Sequence, residues 1–209
     1  MRLQEARKDL YRRLAKEQGY KSRAAFKLIE ANEKFGFIRE GDKVVDFGAA
    51  PGGWVQVASE MVGPTGLAVG VDLHEIRVKR KNLRNIQGDV FDKGVIAKLE
   101  SILGGKADAV LSDLAPSVSG VWELDQTLQV DLTLHVLKLC ETILKPGRDA
   151  FLKLFEGERS PEVRHIFERC FESVHPLKPA ASRSASSELY YYCEGWKGRA
   201  LTSASPLRP

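Results

Sequence analysis

The sequence predicts an α/β fold in which a seven-stranded, mostly parallel sheet carries helices on both faces. Along most of the chain, short apolar segments alternate with segments of helical spacing, and this alternation is typical of a doubly wound parallel sheet. The last two apolar segments are joined only by a short link that contains proline, residues 176–187. A link without a crossover helix predicts a hairpin, and therefore one antiparallel strand in the sheet.

Two helices are expected before the first strand. The first spans about 3–17 and is stopped by Gly19. The second spans about 23–34, with Ser22 as a favourable N-cap and Gly36 at its end.

The remaining elements alternate. The strands are expected at 43–47, 67–71, 83–87, 107–111, 150–155, 171–175 and 188–193. The helices between them are expected at 53–61, 94–101, about 124–144 and 161–170.

Length and composition suit one globular domain. The chain has 209 residues, of which 43% are hydrophobic. We expect a single domain over 1–196, with a basic helical extension at 1–39 and a mobile tail at 197–209. No apolar run approaches the length of about 18 residues that a membrane helix needs, and the first residues lack the apolar segment of a signal peptide. The expectation is a cytoplasmic, monomeric protein.

Cysteine and histidine positions give no sign of a metal site. The three cysteines, Cys140, Cys170 and Cys193, lie far apart and form no CxxC pair. They are interpreted as small buried residues in a reducing compartment, not as a disulfide framework or zinc ligands. The four histidines also lack ligand spacing, so no metal is expected.

Positive charge is concentrated in two places. Residues 1–39 contain eleven lysines and arginines against five acidic residues, although the whole chain carries a net charge of only +4. A second basic cluster comprises Arg77, Lys79, Arg80, Lys81 and Arg84. Concentrated positive charge favours a polyphosphate partner such as nucleic acid, and the alternative is an ordinary solvated helix face.

The segment VVDFGAAPGGW, residues 44–54, carries the strongest signal. It starts as an apolar strand, breaks into a turn rich in glycine and proline, and continues into a helix, an order typical of nucleotide-binding elements. Glycines let the backbone approach a ligand without a clash at Cβ. An ordinary strand-to-helix connection, the alternative, needs only one or two glycines. The spacing also differs from Gly-x-Gly-x-x-Gly and includes Pro51, which disfavours a dinucleotide-dependent oxidoreductase.

Acidic residues follow successive predicted strands. Ligands of open α/β sheets bind outside the carboxyl ends of the strands, where Asp46, Asp72 and Asp89 are expected. Asp72 lies 20 residues beyond Gly52, the spacing of an acid that accepts hydrogen bonds from ribose hydroxyls, and Asp89 is placed to accept from an adenine amino group. One such acid is also a common N-cap, but three in phase with three strands favour a nucleotide site.

This turn and its acids resemble the S-adenosylmethionine (SAM) site of class I SAM-dependent methyltransferases, which have a Rossmann-like fold. The resemblance implies SAM as the cofactor. The implied cofactor-binding residues are Asp46, Gly48, Gly52, Gly53, Trp54, Asp72, Asp89 and Asp113.

The end of the fourth strand and the interior of the fifth bear on the reaction. No aromatic residue lies among Leu114, Ala115 and Pro116, which directly follow Asp113, and no cysteine lies near it. Both observations disfavour methylation of a base amino group or of cytosine C5. Lys153 lies inside the apolar segment 151–155. A buried lysine is costly unless it is paired or has a function. Burial favours its neutral amine, which can act as a general base; the alternative is a lysine that reaches solvent at the strand end.

Five segments together resemble the FtsJ/RrmJ family of ribosomal RNA 2′-O-ribose methyltransferases, over about residues 10–195. They are SRAAFKL at 22–28, DFGAAPGGW at 46–54, SDLAP at 112–116, KLFEG at 153–157 and SSELY at 186–190. The catalytic Lys-Asp-Lys-Glu tetrad of the family maps onto Lys27, Asp113, Lys153 and Glu188. One departure from the family pattern is a bulky Trp122 in the segment that follows Asp113.

The resemblance implies methylation of a ribose 2′-oxygen in RNA, with Lys153 as the base and Asp113 holding it. Lys27 would position the ribose or a phosphate, and Glu188 would orient one of the lysines. The implied substrate is a uridine of large-subunit ribosomal RNA within the large ribosomal subunit. A transfer RNA ribose methyltransferase of the same family is the alternative enzyme, and an inactive ribosome-assembly factor is the alternative of another class.

Overall fold

The computed structural model describes residues 2–117, 119–182 and 186–198, with the side chains of residues 2–9 left out. All but the first two residues of the expected tail, 197–209, lie outside this described part. The elements follow in the order α1 (Arg2–Glu17), α2 (Ala25–Phe35), β1 (Lys43–Phe47), α3 (Gly53–Met61), β2 (Leu67–Asp72), β3 (Leu83–Gln87), α4 (Lys93–Leu103), β4 (Ala107–Ser112), α5 (Trp122–Ile143), β5 (Leu144–Phe155), α6 (Ser160–Cys170), β6 (Phe171–Leu177) and β7 (Glu188–Trp196).

The seven strands form one sheet in the order β3-β2-β1-β4-β5-β7-β6. The pairs from β3 to β5 are parallel, whereas β7 runs antiparallel to both of its neighbours. The predicted fold class, including its single antiparallel strand, is confirmed. Strands β2 and β3 lie on one side of β1, and β4 lies on its other side. Where the strand order reverses in this way, a crevice opens at the carboxyl ends of β1 and β4.

Alternate residues of each strand enter two separate cores. Val45, with the strand residues that point to the same face of the sheet, packs against α4, α5 and α6. Val44, with the strand residues that point to the other face, packs against α2 and α3. The same alternation continues in β5, where Leu152 and Leu154 face the first core and Phe151 faces the second. Lys153 has the parity of Phe151 and therefore lies on the α2 and α3 side of the sheet.

The starts of α2 and β5 were predicted wrongly. Helix α2 begins at Ala25, and its N-cap residue Ala24 makes no side-chain cap. Ser22 does not cap the helix because its hydroxyl packs against Gly53, where an added Cβ would lie 2.2 Å from Ser22 Oγ. Strand β5 begins at Leu144, ahead of the predicted 150, because Leu144 is buried and pairs with Ala107 before a shift in register.

The end of α2 and the state of the cysteines agree with the sequence. Gly36 ends α2 in the left-handed conformation. The three cysteines are free and buried, as predicted. In the part of the chain that the structure describes, no helix is long and apolar enough to cross a membrane, and no group of three or more His, Cys, Asp or Glu side chains is arranged to hold a metal ion.

Candidate active site

Four side chains from separate elements meet at the carboxyl edge of the sheet. Lys27 comes from α2, Asp113 follows β4, Lys153 lies in β5 and Glu188 opens β7. Lys27 Nζ donates to Glu188 Oε2 at 3.1 Å. Lys153 Nζ lies 2.7 Å from the Asp113 carbonyl oxygen and 3.2 Å from Asp113 Oδ1. Residues separated by up to 161 positions in the chain thus form two adjacent ion pairs.

Tyr190 joins these two pairs, and the sequence analysis did not assign it. Its hydroxyl accepts a hydrogen bond from Lys27 Nζ at 2.6 Å and donates one to Asp113 Oδ1 at 2.8 Å. The available signal was its position two residues after Glu188 in a strand, which places both side chains on one face of the sheet. A hydroxyl on a fully buried ring also needs polar partners.

The electrostatics of this cluster follow from its burial. Lys27 is 5% exposed and Lys153 is 3% exposed. Burial by itself would raise the pKa of Asp113, but Lys153, Lys27 and the hydroxyl of Tyr190 outweigh it and lower that pKa below its usual value. Burial and the nearby Asp113 carboxylate raise the pKa of Tyr190 well above its usual value. Tyr190 therefore keeps its proton and remains the donor to Asp113.

Trp54 packs against the residues that hold this cluster in place. Its ring stacks on Phe151 and lies against Tyr190, with centroid distances of 5.3 and 5.6 Å. Its indole Nε1 donates to the carbonyl oxygen of Ala24 at 2.7 Å, just before α2. The side chain of Trp54, only 2% exposed, is thus part of the core that positions Lys27. Its backbone amide lies in the first turn of α3, where amide groups have no partner within the helix.

The glycine turn approaches its neighbours closely enough to exclude side chains. Gly48 has φ +82°, and a Cβ there would lie 2.7 Å from the backbone nitrogen of Leu114. Gly52 has φ +123°, and its Cβ would lie 2.3 Å from Val78 Cγ2. Asp72 holds the turn in place, because its carboxylate accepts from the backbone amide of Ala50 at 2.9 Å. The turn is therefore a preformed cradle.

The carboxyl side chains predicted to contact a cofactor lie at the ends of neighbouring strands. In the order of the sheet, Asp89 follows β3, Asp72 ends β2, Asp46 lies in β1 and Asp113 follows β4. Asp89 is exposed, and its Oδ1 accepts from the amide of Phe91 at 2.9 Å. A row of carboxylates along one edge gives a ligand several hydrogen-bond acceptors and a negative field.

Asp46 is the unusual member of this row. It is fully buried, and neither carboxylate oxygen makes a hydrogen bond of good geometry among the described residues. Burial, with Asp113 and Asp72 adding to it, raises the pKa of Asp46 well above its usual value, although the backbone amide of Val55 opposes the rise. A buried and poorly satisfied carboxyl beside a glycine turn fits a cationic ligand. The methionine end of SAM carries an ammonium and a sulfonium group, so the residues present fit this cofactor.

The fold and this edge define a class of protein. In this sheet the single antiparallel strand, β7, lies between β5 and β6. A glycine turn follows β1, and acids lie at four adjacent strand ends. This is the architecture of class I methyltransferases. The family model described as FtsJ-like methyltransferase matches residues 20–196. The chain belongs to the FtsJ-like methyltransferase family and is a methyltransferase.

Curated relatives and solved structures agree with this assignment. The chain is 43% identical over 201 residues to ribosomal RNA large subunit methyltransferase E of Methanothrix thermoacetophila, covering 96% of this chain and 75% of the relative. It is 40% identical over 198 residues to the protein of that name from Nitrosopumilus maritimus, covering 95% and 100%.

Among solved structures, a ribosomal RNA methyltransferase from Plasmodium falciparum has a TM-score of 0.77 and 29% identity, with 86% of this chain and all of that chain covered. The fibrillarin pre-rRNA processing protein of Methanococcus jannaschii shares the fold, with 14% identity and a TM-score of 0.56. The match covers 78% of this chain and 70% of that chain.

Proposed function

We propose that this protein transfers a methyl group from SAM to a ribose 2′-oxygen of large-subunit ribosomal RNA. The observation that carries the proposal is the placement of Lys153, whose Nζ is held by two oxygens of Asp113 beside the glycine turn. A lysine so positioned is suited to proton transfer at an attacking oxygen. The names of the relatives support ribosomal RNA of the large subunit as the substrate.

The cofactor residues of the proposal are those of the cradle and its acids. Asp46 and the amides of Gly53 and Trp54 would hold the methionine end, Asp72 the ribose hydroxyls and Asp89 the adenine amino group. Gly48 and Gly52 keep the cradle open to the ligand. When bound, SAM supplies an electrophilic methyl group on a sulfonium, a leaving group that needs no acid.

The residues of the chain therefore have to align and activate the oxygen. In its base form, Lys153 takes the proton of the 2′-hydroxyl as the oxygen bonds to the methyl carbon and the methyl–sulfur bond of SAM breaks. Asp113 holds Nζ of Lys153 in place and stabilises the ammonium that results. Positioning and one base contribute most in such a site, the base about 100-fold or more.

Lys27 positions the ribose or an adjacent phosphate. Its ammonium is oriented by Glu188 at 3.1 Å and by the hydroxyl of Tyr190 at 2.6 Å. In this proposal Glu188 orients Lys27, one of the two lysines that the sequence left open, and their contact supports that choice. Because Tyr190 also contacts Asp113, the residue that positions the substrate and the residue that holds the base are mechanically connected.

Part of the second basic cluster lies beside the glycine turn, near Lys21. Lys21 and Val78 both lie against Gly52, from opposite segments of the chain. The amide of Lys21 also donates to Gln56 of α3 at 3.3 Å. Lys21, with Arg77 and Lys79 on either side of Val78, therefore forms a basic surface beside the cradle, suited to phosphate contacts that position the RNA. Arg80 lies farther away, where it pairs with Glu60 near the end of α3.

Transfer of labelled methyl from SAM to large ribosomal subunits that lack the modification tests the proposal. Labelled 2′-O-methylnucleoside, expected at a uridine, should appear with the wild type and fall at least 100-fold with Lys153→Met, which keeps the volume of the side chain. Lys98→Met, at an exposed lysine of α4, is the matched control and should retain activity. SAM binding by both variants should equal that of the wild type.

Three outcomes would contradict parts of the proposal. Label on transfer RNA and none on subunits would replace the substrate by that of the related tRNA enzymes. Full activity of Lys153→Met would remove Lys153 as the base. SAM binding without transfer to either RNA would favour an assembly factor of the same fold.

A further inference from the structure

Trp122 is the one tryptophan of this chain with an exposed ring. Trp54 and Trp196 are 2% and 1% exposed, whereas Trp122 is 45% exposed, and the sequence holds three tryptophans. Trp122 is the first residue of α5, and its ring stacks on Phe155 with a centroid distance of 6.0 Å and an angle of 21° between the planes. One face of the indole is thus backed by a second ring.

Phe155 ties this aromatic pair to the tetrad. In the β5–β7 ladder Phe155 pairs with Glu188, and Lys153 pairs with Tyr190. Directly opposed residues of antiparallel strands point to the same face and lie within contact distance. Phe155, two residues beyond Lys153, also lies on the face of Lys153. The stacked rings of Trp122 and Phe155 therefore border the edge where Lys27 and Glu188 meet.

The turn before α5 is fixed by a small network, so Trp122 has a defined position. Asp125, which is 5% exposed, accepts from the amide of Ser119 at 2.8 Å and from its hydroxyl at 2.7 Å. The Ser119 hydroxyl in turn accepts from the amide of Val121 at 3.1 Å. Val121, Leu124 and Leu128 are further exposed apolar side chains at the start of α5, 54%, 47% and 39% exposed.

We propose that Trp122, backed by Phe155, stacks on a nucleobase of the substrate RNA next to the target ribose; this inference rests on the proposed function. A ribose placed against Lys153 and Lys27 brings its own base and those of its neighbours to the rim of the tetrad. Unpaired bases of RNA are recognised mainly by stacking on aromatic rings. The apolar surroundings of Trp122 suit the flat face of a base and leave phosphate binding to the basic surface.

Kinetics with unmodified large ribosomal subunits test the platform. Trp122→Ala should raise KM for subunits about 10- to 100-fold, the effect expected from losing one stacked base, and leave KM for SAM unchanged. Trp122→Phe should restore most of the loss because it keeps a stacking ring. Leu128→Ala, an exposed apolar residue of the same helix, is the matched control and should resemble the wild type.

Fluorescence provides a test that needs no catalysis. Since Trp122 is the exposed tryptophan, a single-stranded RNA oligonucleotide should quench its emission, and Trp122→Phe should abolish that change. The same oligonucleotide with one abasic ribose at its centre should quench less.

The results separate the two proposals. Unchanged KM in Trp122→Ala, with wild-type methylation intact, would overturn the platform and leave the function standing. Equal losses in Trp122→Ala and Leu128→Ala would also overturn it, in favour of an apolar protein partner or a second copy of the chain. Absent methylation by the wild type would overturn the proposed function, and the fluorescence comparison would then decide the platform by itself.

Discussion

The hydroxyl of Tyr190 donates to Oδ1 of Asp113 at 2.8 Å, and this contact turns two ion pairs into one network. Without this contact, no hydrogen bond among the described residues would connect the Lys27–Glu188 pair to the Lys153–Asp113 pair. Because the tyrosine ring is fully buried and stacked on Phe151 at 5.3 Å, its hydroxyl has little freedom to leave. The geometry of both lysines thus depends on the packing beneath them.

Removal of this hydroxyl should separate the two pairs. Tyr190→Phe keeps the buried ring but leaves Lys27 and Asp113 each with one hydrogen bond fewer. We expect kcat/KM to fall about 10-fold through loss of alignment, and the free energy of unfolding to fall by about 1–3 kcal/mol because the lost bonds involve charged groups. Methyl-transfer kinetics and urea unfolding measure both. Tyr11→Phe, on α1, is the control, and equal activities would argue that the network does not transmit alignment.

Asp46 should be a residue that lowers stability. Its carboxyl is buried beside two other acids, and it makes no hydrogen bond of good geometry among the described residues. Asp46→Asn removes the charge, so the free energy of unfolding at pH 7 should rise by about 1–3 kcal/mol, while SAM affinity falls. Chemical unfolding and calorimetric SAM titration test the two effects. Asp131→Asn, at an exposed aspartate of α5, should change neither, and a less stable Asp46→Asn would contradict the interpretation.

The pH dependence of this gain has a definite sign. A carboxyl whose pKa is raised in the folded state contributes stability below its unfolded pKa of about 3.9 and loses it as pH rises through the folded pKa. The advantage of Asp46→Asn should therefore be absent below about pH 4 and grow as the pH rises through the raised pKa of the folded state.

Asp113 should show the opposite behaviour. Its pKa is lowered in the folded state, because Lys153, Lys27 and Tyr190 outweigh the effect of burial. A carboxyl of this kind stabilises the fold above its unfolded pKa and loses that contribution as pH falls through the folded pKa. The wild type should be more stable than Asp113→Asn at pH 7, and the gap should close below about pH 4. Unfolding curves from pH 3 to 7, with Asp131→Asn beside them, measure it; a constant gap would refute the assignment.

Gly48 should tolerate no side chain. Gly48→Ala faces both a positive φ and a Cβ 2.7 Å from backbone of the 113–114 segment, so that segment must move. Gly104→Ala is the matched control, since Gly104 has φ +54° and nothing within 4 Å of an added Cβ. In the control, the free energy of unfolding should fall only by the conformational cost of about 1–2 kcal/mol. In Gly48→Ala it should fall further, and SAM binding should be lost. Equal losses of stability and of SAM affinity in the two variants would show that the close approach of Gly48 to the 113–114 backbone is unimportant.

Much of the site was predictable because its residues occupy positions with a local signature. A glycine turn after a strand, acids at successive strand ends and a lysine inside an apolar strand are patterns of neighbouring residues, and Asp46, Asp72 and Lys153 lie where such patterns place them. Tyr190 was missed because a tyrosine in an apolar strand is also an ordinary core residue. Ser22 was misassigned because its preference for capping is weaker than its packing against Gly53.

The sequence by itself determined the order of the elements, the single antiparallel strand and the residue types available for chemistry, because hydrophobic period and turn residues act over a few positions. Only the tertiary structure decided which charges meet. It paired Glu188 with Lys27, joined both ion pairs through Tyr190, placed the ring of Trp54 in the core and stacked Trp122 on Phe155. These contacts join residues far apart in the chain, and their distances follow from how helices pack on the sheet.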